Sequence, residues 1–181
     1  MSKSIFERVR NAGRALAGKD DSVALKGFWD IKVIRADGTI EERTRENLVT
    51  ATGMNRIADL AVAANVVSAF AYIVIGTNTG APADTDTQAQ VGEVTNGRKI
   101  AALKVQSREW IALTCTWAGN TDSLTGIALD SGCISDYQSS SASTGLIANR
   151  VNGMGVTLQA SDFLNLTVRI RCGSHNQAHT T

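Results

Sequence analysis

The chain has 181 residues, of which 43% are hydrophobic, 5% aromatic and 19% charged, with a formal net charge of +1. That length suits one well-buried core rather than two. The near-neutral balance argues against a general electrostatic hold on nucleic acid, and no apolar run approaches the roughly 18 to 20 residues of a membrane span.

The first segment, Ser4 to Gly18, places Ile5, Phe6, Val9, Ala12 and Leu16 near helical spacing, with Arg8, Arg10 and Arg14 mostly off that stripe. A basic amphipathic helix is expected, capped by Ser4 and ended by Gly18 and the polar Lys19-Asp20-Asp21-Ser22 linker. A helix this short has little stability alone, so it gains order by docking. Residues 1–22 are therefore read as an arm, packing either on its own domain or on another subunit, with Ile5, Phe6, Val9, Arg10 and Arg14 as candidate partner contacts. The same stretch lacks the continuous apolar region of a secretion signal, so synthesis in a cytoplasm is expected.

From Leu25 to Arg35, Trp29, Ile31 and Val33 alternate with Asp30 and Lys32, the pattern of a half-buried strand. Ala36-Asp37-Gly38-Thr39 supplies a tight turn, and Thr39 to Thr44 returns antiparallel. Glu41, Arg43 and Arg45 on that return strand read as a solvated, edge-protecting face. Thr52 is the expected cap of a helix from about Gly53 to Ala64. Ala71 to Ile75 reads as a strand buried on both sides, and Thr77 to Asp86 as a polar surface loop suited to contacts, with Asn78, Thr79 and Pro82 as candidates.

Further strands are expected at Lys99–Gln106, Glu109–Trp117, Leu124–Leu129 and Leu146–Val151. The clearest lies near the C-terminus, where Leu164, Leu166, Val168, Ile170 and Cys172 alternate with Asn165, Thr167, Arg169 and Arg171. Gly132 to Thr144, centred on Ser139-Ser140-Ser141, reads as a mobile Ser-rich segment, and residues 174–181 as a polar tail. The expected architecture is mainly β, a sandwich or jelly-roll-like single domain over residues 23–173, with one short helix packed on it and the N-terminal helical arm.

Little in the sequence points to chemistry. Cys115, Cys133 and Cys172 are widely spaced without a C-x-x-C pair, and read as reduced, mostly buried thiols. His175 and His179 are four apart, but Gly173 and Ser174 precede them and no apolar stripe supports a helix there, so neither a metal site nor a nucleophile pair is expected. Asp84-Thr85-Asp86 lacks the glycine and terminal glutamate of a calcium loop, and Gly76-Thr77-Asn78-Thr79-Gly80 lacks the Gly-Lys-Ser/Thr ending of a phosphate loop. No catalytic residue, metal or cofactor is expected, and the protein is read as a non-enzyme.

Leu25-Lys26-Gly27-Phe28-Trp29-Asp30-Ile31, the Ala36-Asp37-Gly38-Thr39 turn, Glu46-Asn47-Leu48-Val49-Thr50 and Gly53-Met54-Asn55-Arg56-Ile57-Ala58 together resemble a family of small virion structural proteins of tailed bacteriophages. The Tyr72-to-Gly76 strand, the Thr79-to-Ala83 loop with Asp84 and Asp86, and the Asp162-to-Ile170 strand are similar as well. Met54 stands where the family tends to have Leu, and the basic arm and the segment around Ser140 lie outside the pattern. The resemblance implies a virion component with no catalytic residues. A capsid decoration, or cement, protein is the first expectation, a homotrimer bound to the major capsid protein, with no direct nucleic-acid or membrane contact. A tail or tail-fibre attachment component is the alternative. A carbohydrate-binding module or small hydrolase on a jelly-roll scaffold is the third option.

Overall fold

The computed structural model describes residues 23–55, 70–106, 110–136 and 147–174. The chain divides into two units, a body formed by Lys26–Arg171 and a smaller one formed by Met1–Leu25 with Cys172–Thr181. Of the smaller unit only the strand ends at residues 23–25 and 172–174 are described. The arm helix, the C-terminal histidines and the Ser139-Ser140-Ser141 run lie outside the described residues, as does the expected helix beyond residue 55.

The structure is mainly β and sandwich-like, as the strand patterns lead one to expect. Among the described residues eleven strands are formed: β1 (Val23–Ile34), β2 (Ile40–Val49), β3 (Tyr72–Gly76), β4 (Glu93–Ile100), β5 (Leu103–Gln106), β6 (Trp110–Ala118), β7 (Ala128–Leu129), β8 (Ser131–Ser135), β9 (Ile147–Val151), β10 (Val156–Thr157) and β11 (Phe163–Ser174). Nine of them make one sheet in the order β4-β3-β8-β9-β2-β1-β11-β6-β5, and β10 pairs with β7 separately. The two sheet edges, β4 and β5, are separated in sequence only by Ala101 and Ala102. The sheet therefore rolls until it is nearly closed, with β4 brought against β6, the neighbour of the short edge strand β5. Along that seam Cys115 Sγ donates to the Ile100 carbonyl at 3.2 Å, Trp117 Nε1 to the Asn96 carbonyl at 3.2 Å, and Lys99 Nζ to the Thr116 carbonyl at 2.9 Å. The expected Lys99–Gln106 strand is thus two strands, broken at the corner where the chain passes from one edge to the other.

The inward face carries Trp29, Ile31 and Val33 from β1, Leu113, Cys115 and Trp117 from β6, and Leu164, Leu166 and Val168 from β11, all buried. These are the alternating positions of the sequence, so period-two patterning fixes the faces of three adjacent strands. The β1–β2 hairpin turns at Gly38, whose φ of +84° is a left-handed conformation that glycine adopts freely. Asp37 Oδ1 accepts from the Thr39 amide at 2.8 Å and fixes the turn.

Two expectations about β2 are corrected. It lies between β9 and β1, so it is not an edge. Glu41, Arg43 and Arg45 stand directly opposite Val33, Ile31 and Trp29, on the same side of the sheet as those core residues, so Glu41 and Arg43 are half-buried rather than on a solvated face, while Arg45 is exposed as expected. Arg43 donates to the Met154 and Gly155 carbonyls at 3.1 and 3.0 Å, Arg45 to the Gly153 carbonyl at 2.9 Å, and Arg35 to the Thr157 carbonyl at 2.8 Å. The guanidiniums dock the chain segment leading into β10 against the hairpin.

The helical cap also shifts. Residues 51–55 are helical, and the cap is Thr50 rather than Thr52: its Oγ1 accepts from the Gly53 amide at 3.0 Å and its carbonyl from the Met54 amide at 3.0 Å. Thr50 Oγ1 also donates to the Ile147 carbonyl at 2.6 Å, which seats the helix start on β9. Gly53 lies so close to that strand that an added Cβ would come within 2.2 Å of the Ala148 carbonyl oxygen.

Candidate contact surface

β3 leaves the sheet at Gly76 and the chain returns as β4 at Glu93, and residues 77–92 between them form a strap. Its neck is zipped by Thr77 N to the Gly92 carbonyl at 3.1 Å and Asn78 N to the Val91 carbonyl at 3.2 Å. Beyond the neck, Gln88–Val91 winds into a 3₁₀ turn, closed when Thr87 N donates to Gln90 Oε1 at 2.8 Å.

The strap lies on the outward face of the sheet. Arg98, Val74, Cys133, Arg150 and Leu48 are successive cross-strand partners over β4, β3, β8, β9 and β2, so they form one row on one face. Val91 of the strap packs with Val74, Cys133 and Ile147 in a small buried cluster. Both arginines in the row are met by carboxylates. Arg150, 2% exposed, pairs through Nη1 with Asp86, 9% exposed, and donates from Nη2 to the Gly80 carbonyl at 2.8 Å. Arg98 forms a two-pronged pair with Glu93, Nη2 to Oε2 at 2.7 Å and Nε to Oε1 at 3.1 Å. Gln88 Nε2 adds a bond to Glu93 Oε2 at 3.0 Å, and Ser135 Oγ donates to Gln88 Oε1 at 3.2 Å. Charges taken this far from water persist only when paired and hydrogen-bonded.

The structure therefore revises the reading of the Thr77-to-Asp86 loop. Asp86 does not belong to a solvated loop: its Oδ2 also accepts from the Ala83 amide at 2.8 Å, so one buried carboxylate shapes the tip and anchors it. Of the candidate contacts, Thr79 is exposed, while Asn78 and Pro82 are half-buried. Asn78 Oδ1 accepts from the Gly80 amide at 2.7 Å, a local turn within the loop. Thr77, Thr79, Gly80, Ala81, Ala83, Asp84 and Thr85 make up the exposed part of the Thr77-to-Asp86 loop. Ile5, Phe6, Val9, Arg10 and Arg14 lie outside the described residues.

A second polar surface lies on the outward side of β2, β1 and β11. Asp30 meets Arg169 and Ala36 meets Asp162, so β1 and β11 run antiparallel. A shallow recess of about 260 Å³ there is lined by Asp30, Lys32, Glu42, Thr44, Asn165 and Thr167. Within it Lys32 pairs with Glu42 at 2.8 Å, while Asp30 takes a bond from Thr44 at 2.9 Å and pairs with Arg169 at 2.6 Å. Exposed pairs of this kind add little stability.

Cys115 and Cys133 are free and buried, and burial raises the pKa of both thiols, that of Cys133 far above its ordinary value. A thiol held in that state is a poor nucleophile. Among the described residues no group of three or more His, Cys, Asp and Glu side chains is placed to hold a metal ion, and no helix is long and apolar enough to cross a membrane.

The sequence reading missed Arg150, Arg98 and Glu93 as a set. Arg150 inside the expected Leu146–Val151 strand was the available signal, because a charged residue buried in a strand demands a counter-charge from elsewhere in the chain. No protein-family model, curated protein or solved structure matches this chain.

Proposed function

We propose that this protein is a structural component of a tailed-bacteriophage particle, and specifically a capsid decoration protein that binds the outer head shell as a homotrimer. The reading rests first on the resemblance carried by the motifs around Gly27, Asn47, Gly53 and Tyr72. The observation that supports it best is the strap: a polar, exposed tip fixed to a rigid sheet by a buried ion pair. A tip ordered in advance loses less conformational entropy on docking than a free loop would. Many identical, individually weak contacts then sum on a repeating lattice.

The same strap suits a tail component, and the two differ in where the protein sits. An image of the assembled particle at low resolution, with the protein located by a bound tag, tests this. Density spread over the outer shell supports decoration, density confined to the tail selects the alternative, and a particle without the protein ends both.

A further inference from the structure

We infer that the 77–92 strap is a lid that opens as a local unit, latched by the Asp86–Arg150 pair, while the rest of the sheet stays folded. The inference is independent of the virion reading. Its basis is what the strap buries. Among residues 77–92 only Asp86, Gln88 and Val91 are buried, so a single apolar side chain holds a 16-residue excursion to the sheet. The remaining attachments are polar: Asp86 and the Gly80 carbonyl on Arg150, the Thr79 carbonyl on Asn152, Gln88 on Ser135 and Glu93, the Val91 carbonyl on Ser131, and the Asp84 carbonyl on the Ala51 amide. Water competes for every one of these groups once the strap lifts, whereas it gains nothing from the apolar core beneath the sheet. Segments with few buried apolar contacts open at lower free energy than the global fold.

The latch is placed to be decisive. Asp86 is the residue through which the tip is both shaped, by the Ala83 amide, and tied down, by Arg150. Opening uncovers the row Arg98, Val74, Cys133 and Arg150. It therefore changes the accessibility of one thiol and leaves the other alone, because Cys115 sits on the inward face at the seam between β4 and β6.

These two thiols provide the test. The full-length protein is pulsed with iodoacetamide under native conditions at rising, sub-denaturing urea, and labelling at Cys133 and Cys115 is mapped by peptide mass spectrometry. Local opening requires a Cys133 rate that is nearly independent of urea, while Cys115 accelerates with it. Asp86→Asn should raise the Cys133 rate about tenfold or more and leave the Cys115 rate within about twofold. Asp84→Asn, at a neighbouring exposed carboxylate whose carbonyl makes the bond to Ala51, should change neither. The inference is overturned if both thiols accelerate together in Asp86→Asn, if Asp84→Asn has the same effect, or if Cys133 in the unmodified protein depends on urea as steeply as Cys115. The urea series on the unmodified protein decides the matter even if the variant fails to fold.

Discussion

Asn47 stands directly opposite Gly27 across the β1–β2 ladder, and its side-chain amide occupies the space that a side chain at position 27 would take. A Cβ on Gly27 would lie 2.0 Å from Asn47 Oδ1 and 2.5 Å from Nδ2. Two motifs that look separate in the sequence, Leu25-Lys26-Gly27-Phe28-Trp29 and Asn47-Leu48-Val49, are therefore one packing unit. Gly27→Ala should cost about 1 to 3 kcal/mol through overpacking. Asn47 has no hydrogen-bond partner for its buried amide, so Asn47→Ala alone should cost less, and the double variant should recover much of the Gly27→Ala loss. Urea midpoints of the four proteins measure this. Strict additivity would mean that the two residues do not compete for space.

Leu166 is fully buried on the inward face of β11, opposite Cys115. Leu166→Asp should abolish folding or destabilise the protein by about 3 kcal/mol or more, since an unpaired carboxylate would enter the core. Circular dichroism with thermal melting checks it. A stable, soluble variant would mean that the faces of β11 are reversed.

Asp162 accepts from the Gln159 amide at 2.9 Å, from Arg35 at 2.8 Å and from the Ala36 amide at 3.1 Å. These donors, the Gln159 amide foremost, hold its carboxyl below the ordinary range. The folded pKa is thus lower than the unfolded one, so the contribution is fully present above the unfolded value, about 3.9, and is lost as pH falls through the folded value. Asp162→Asn should lower Tm at neutral pH, and the gap to the parent should narrow as pH drops below about 4. A gap that stays constant down to pH 2 would refute the assignment.

Glu93 and Arg98 are 7% and 6% exposed and pair through two bonds. Removing the carboxylate takes two charge-assisted bonds from a buried guanidinium, so Glu93→Gln should cost about 1 kcal/mol or more. Glu93→Gln with Arg98→Met should be less destabilised than Glu93→Gln alone, because the guanidinium that lost those bonds is also gone. Chemical denaturation of the three proteins separates these outcomes.

Strands whose residues alternate, or are mostly apolar as in β3, were legible in the sequence, and a buried strand made of small polar residues was not. β1 and β11 announce themselves by alternation. β8, Ser131–Ser135, is buried at every position and, from Gly132 on, lies within the Gly132-to-Thr144 segment that was expected to be mobile. Small polar residues suit it for specific reasons: Gly132 admits the Trp29 ring, Ser131 bonds to the Val91 carbonyl, and Ser135 bonds to Gln88. None of these partners is adjacent in sequence. β4 was missed at its start for the same reason, because Glu93 and Arg98 look like surface residues until the strap covers them. The contact loop was legible as a loop, but its anchor was not, since Asp86 and Arg150 are 64 residues apart.

The proposed role, decoration of a phage head, is tested most directly by copy number. Quantitative gel densitometry of purified virions, calibrated against the major capsid protein, should show hundreds of copies per particle. A handful of copies, or none, would contradict the decoration reading.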